Sequence, residues 1–140
     1  MIGVTRIMNI LFIENNSNPN LFLKELMPLL FPQSNQIFCT HRDWIEEVEK
    51  SKQLGNQKLN LVLYFSKTIA RDLKCISTSC NKEGIPVLCI IDEYSLADFQ
   101  GLVEEKVQGL IQTSETSLKE IKETMELILN GGFFLKAPKK

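Results

Sequence analysis

Histidine is almost missing from this chain: it has one, His41, and four cysteines, Cys39, Cys75, Cys80 and Cys89, none in CxxC spacing. That excludes a zinc ribbon or a thioredoxin-type redox motif, and it implies reduced thiols in a cytosolic protein. The seven glycines form neither GxGxxG nor a P-loop, so no segment offers a nucleotide phosphate close backbone approach. No apolar run reaches the roughly 18 residues of a membrane span, and the amino terminus has no long apolar signal core. Sixteen basic side chains against 17 acidic ones leave a formal net charge of −1, without the global signature of a nucleic-acid clamp. The expectation is a soluble, cytoplasmic, non-enzymatic domain with no cofactor, no metal and no membrane contact.

What is present is alternation. The chain's 140 residues suit one compact domain with a real core. Apolar runs predict strands at Ile7 to Ile13, Gln36 to Thr40, Leu61 to Phe65, Ile85 to Ile91 and Gly109 to Gln112. Helices are predicted between and after them: LFLKELMPLLF, which Pro28 should kink or end, WIEEVEKSKQL behind the cap Asp43, and a third from about Ile69 to Lys82. A fourth follows Ser95, which forms a capping-box pattern with Asp98. The last follows Ser117, carries Leu118, Ile121, Met125 and Ile128 at helical spacing, and stops at Asn130-Gly131-Gly132. Five strands alternating with five helices require parallel pairing and right-handed crossovers, the doubly wound α/β three-layer sandwich.

Several segments also carry a resemblance. ILFIENN (10 to 16) resembles the first strand and acidic turn of response-regulator receiver domains, and LNLVLYF (59 to 65) resembles their third strand. KVQGLIQTSETSLKEIKETMELILNGGFFL (106 to 135) is similar to the end of receivers in NarL/LuxR-type transcription regulators. The resemblance implies a flavodoxin-like (CheY-like) (βα)5 fold with strand order 2-1-3-4-5. It also implies a receiver-like domain over residues 1–135, with 136–140 the start of a linker or tail.

Receivers bind Mg²⁺ with an acidic pair after strand one and accept phosphate on an aspartate ending strand three. A Ser or Thr after strand four and a lysine after strand five hold the phosphoryl oxygens. Carried onto this chain, the acidic pair becomes Glu14 and Asn15, and the acceptor becomes Phe65. The hydroxyl position becomes Ile91, followed by Asp92, and the lysine position becomes Thr113. Sliding the register restores neither role, because residues 59 to 71 contain no Asp or Glu and residues 107 to 118 contain no lysine. The resemblance therefore implies a degenerate, phosphorylation-independent pocket plugged by Phe65. Lys67, just beyond it, is either a pocket cation near Glu14 and Asp92 or an ordinary exposed lysine. Tyr94 either packs inward or merely covers its loop.

Function then falls to surfaces. The resemblance implies a homodimer or another protein partner, engaged through the fourth and fifth helices with the fifth strand, or through the first and fifth helices. LKAPKK after Phe134 reads as a linker cut short, so DNA contact is expected only through a C-terminal domain absent from this chain. The competing expectation is a stand-alone adaptor that docks on a kinase or another regulator.

Overall fold

The computed structural model describes residues 8–15, 28–29, 31–32, 34–40, 42–53, 59–69, 72–113 and 117–138. Strands are β1 (Met8–Asn15), β2 (Ser34–Thr40), β3 (Leu61–Ser66), β4 (Val87–Ile91), β5 (Gly109–Gln112) and β6 (Phe134–Leu135). The described helices are α1 (Trp44–Gln53), α2 (Asp72–Lys82), α3 (Leu96–Glu104) and α4 (Leu118–Leu129). Most of the helix expected in LFLKELMPLLF lies outside the described residues. All strand pairs are parallel, in the order β2-β1-β3-β4-β5-β6. The expected 2-1-3-4-5 sheet is present, with a sixth strand added at its edge.

Every residue of β3 and β4 is buried, as continuous apolar runs require of strands covered on both faces. Alternation along the strands divides the core in two. Leu11, Ile13, Val62, Tyr64, Cys89, Ile91 and Leu110 pack with Trp44 and Val48 of α1, Ile76 of α2 and Leu102 of α3. The opposite face sets Ile10, Phe12, Leu63, Phe65, Ile90 and Ile111 against Ile121, Met125 and Ile128 of α4.

Gly109 sets the distance between α4 and β5, since a Cβ there would strike the Ile128 and Leu88 side chains. The ends of α3 and α4 follow their sequence signals. Ser95 and Asp98 form a reciprocal capping box on α3, and Ser117 accepts the Glu120 N–H at the start of α4. At the other end of α4, Gly131 adopts φ 90, and the Gly131 and Gly132 N–H groups donate to the Ile128 and Leu127 carbonyls. This is a Schellman closure, and it turns the chain back along the sheet into β6.

Candidate functional site

The carboxyl ends of the parallel strands bring the expected pocket residues into two adjoining rows. Phe65 lies between Glu14 and Ile90, while Ser66 lies between Asn15 and Ile91, and Ile91 is paired with Gln112. The register therefore places Glu14, Asn15, Phe65, Ile91 and Asp92 at one end of the sheet. Thr113 follows directly after β5, half-buried in a short 3-10 turn. The Asn15 side chain lies outside the described residues.

Phe65 is 6% exposed and stacks on Phe12, with ring centroids 5.9 Å apart and an interplanar angle of 13°. Phe12 stacks in turn on Phe38 at 4.6 Å. Phe65 thus ends an aromatic row that crosses β2, β1 and β3. Glu14 is 8% exposed, directly opposite Phe65 on the neighbouring strand. Ile91 is fully buried in the other half of the core.

Lys67 is exposed, and its carbonyl accepts the Glu93 N–H at 2.9 Å. Asp92 is exposed too, and its N–H donates to the Ser66 carbonyl at 3.1 Å. The Ser66 hydroxyl is turned to the Thr68 carbonyl. Gln112 Nε2 donates to the Asp92 carbonyl at 3.2 Å, so β5 reaches this loop through an amide.

The donor set does not fit the Mg²⁺ of an active receiver. A hard cation takes several oxygen ligands, and here a buried phenyl ring stands opposite Glu14, at the position where the resemblance led one to expect a carboxylate. Among the described residues, no group of three or more His, Cys, Asp or Glu side chains could hold a metal. Three of the four cysteines are muted by burial. Burial raises the Cys39 thiol to about 12, with Glu47 and Asp43 adding to the effect, raises Cys80 to about 12, and pushes Cys89 upward as well. These thiols stay protonated at neutral pH.

Tyr94 packs inward, settling the choice that its sequence position left open. It is 9% exposed, and its hydroxyl donates to the Lys136 carbonyl at 2.7 Å. Burial also pushes its phenol above the ordinary value of 10. Gln112 and Lys136 were not singled out by the sequence.

No protein-family model and no curated protein sequence matches the chain. Solved structures do. The signal receiver domain of a LuxO repressor protein from Vibrio parahaemolyticus superposes with TM-score 0.67 at 15% identity, over 89% of this chain and 91% of the other. A protein from Burkholderia pseudomallei described as pilus assembly-related gives 0.69 at 8% identity, over 97% and 99%. The RcsB response regulator of Salmonella typhimurium gives 0.67 at 9% identity, over 94% of this chain but 64% of its own length. The chain thus has a flavodoxin-like, doubly wound α/β fold. Its strand order and these likenesses show the CheY-like form of that fold, which the receiver domains named above share.

Proposed function

We propose that this is a receiver-type regulatory domain that works without phosphotransfer and without catalysis of its own. It serves as the N-terminal dimerising part of a NarL/LuxR-type transcription regulator. The observation that carries the reading is Phe65, buried and stacked on Phe12 where a phosphorylatable carboxylate would have to stand. Without that carboxylate no acyl phosphate can form, and Thr113 supplies no ammonium to hold one. The domain keeps a shape and a surface. Its partner is a second copy or another protein, and DNA is reached through a C-terminal domain. Leu127, Phe133 and Phe134 are exposed beside the β5–β6 edge and give that contact an apolar component.

A second reading, a pseudo-receiver adaptor for a kinase or another regulator, is favoured by one observation. The first residue of the expected linker, Lys136, is itself held to the sheet, its N–H donating to the Leu110 carbonyl and its carbonyl accepting from the Tyr94 hydroxyl.

Light scattering over a range of protein concentrations, with and without Mg²⁺ plus beryllium fluoride, tests both. A dimer whose mass ignores the phosphate mimic is the expected result. A mass that shifts only when the mimic is added would overturn the loss of phosphochemistry. A monomer at every concentration would favour the adaptor.

A further inference from the structure

β6 is a weak strand by construction. It pairs with β5 through two residues, Gly109 with Phe134 and Leu110 with Leu135. The Phe134 N–H donates to the Gln108 carbonyl and the Lys136 N–H to the Leu110 carbonyl, each at 2.9 Å. Phe133 is 65% exposed and Phe134 38%, so among 133 to 135 it is Leu135 that packs against the core. So short a ladder and one such side chain do little more than offset the entropy lost in ordering these residues. The Tyr94 hydroxyl adds a further restraint by donating to the Lys136 carbonyl.

Tyr94 also belongs to the loop at the mouth of the pocket. The two residues before it are pinned to the end of β3, Asp92 N–H to the Ser66 carbonyl and Glu93 N–H to the Lys67 carbonyl. Gln112 grips the Asp92 carbonyl from β5. Hydrogen bonds joined by the Asp92–Glu93–Tyr94 backbone therefore link the end of β3 to the place where the chain leaves the sheet.

We propose that β6 is the output strap of this domain: Tyr94 couples the β4–α3 loop to the seating of β6 on β5, so that displacing either releases the other. The coupling needs no phosphate and stands whether or not Phe65 has ended phosphotransfer. Because a coupling free energy between two equilibria is reciprocal, it must be visible from both ends.

Amide hydrogen exchange on the full chain, read residue by residue, tests both directions. Tyr94→Phe keeps the ring and removes the donor. It should speed exchange at Phe134 and Lys136 by about fivefold, the effect of one net hydrogen bond, and leave β1 and β3 amides unchanged. Lys136→Pro removes the N–H that reaches Leu110, and it should speed exchange at Asp92 and Glu93 by a similar factor. If Tyr94→Phe loosens the whole sheet, the Lys136→Pro arm decides, because its site is the last residue of an edge. Exchange that changes only beside each substitution, with the far end unmoved, would overturn the proposal.

Discussion

Phe65 is the residue on which the proposed loss of phosphotransfer turns, and it also strengthens the fold. An aspartate at this point would lie opposite Glu14, and two carboxylates at the rim of an apolar layer need a cation between them. A phenyl ring needs none and adds a stacking contact with Phe12. Phe65→Asp should therefore lower stability by about 3 kcal/mol, the scale of losing a buried aromatic, with repulsion from Glu14 adding to it. It should still bind no beryllium fluoride with Mg²⁺, because Ile91 and Thr113 remain. Urea denaturation and fluorine NMR check the two halves, and a bound fluoride signal would mean that the pocket survives. That positions 14, 15, 65, 91, 92 and 113 lie at or just beyond strand ends was legible in the sequence, because the apolar runs mark where the strands stop. Tyr94 was not, because its direction depends on residues 134 to 136, which lie far along the chain.

At the level of helices and strands, the packing of α4 on β5 rests on Gly109. Gly109→Ala should cost about 1–3 kcal/mol through overpacking against Ile128 and Leu88. Gly101, inside α3 with nothing within 4 Å of a built Cβ, is the contrast. Gly101→Ala should stabilise by about 0.5–1 kcal/mol through helix propensity and a stiffer unfolded chain. Chemical denaturation midpoints give both signs, and equal effects at the two sites would contradict the contact geometry. β3 and β4 were readable because buried parallel strands are unbroken apolar runs, while the half-exposed edge strand β2 showed only its QIFCT end. Phe134-Leu135 is too short for any periodicity to declare itself, and after Gly131-Gly132 it read as the exit from a helix. Only the β5–α4–β6 crossover makes it a strand, and that is a tertiary fact.

The whole molecule has a predicted pH response. The buried Tyr94 phenol is raised above 10, so the seated tail favours the neutral hydroxyl. Its contribution is fully present below pH 10, and it is lost as pH rises through the raised value, when tyrosinate can no longer donate to Lys136. The sheet should therefore shed β6 before it unfolds. NMR signals of Ala137 should move toward free-peptide positions in step with the Tyr94 ring. Tail signals that stay fixed while Tyr94 titrates would separate the two.

β6 also decides how this protein behaves in a crowd of its own copies. Gly109 to Ile111 are buried, and without a neighbour their main chain would present an apolar, hydrogen-bonding template to any passing strand. The strand that covers it is two residues long and is followed by Lys136, Ala137 and Pro138, a charge and a residue with no N–H to donate. A tempting edge is thereby exchanged for a blunt one. The same strap that reports on the pocket loop keeps the sheet from growing, so any signal that lifts it trades solubility for contact.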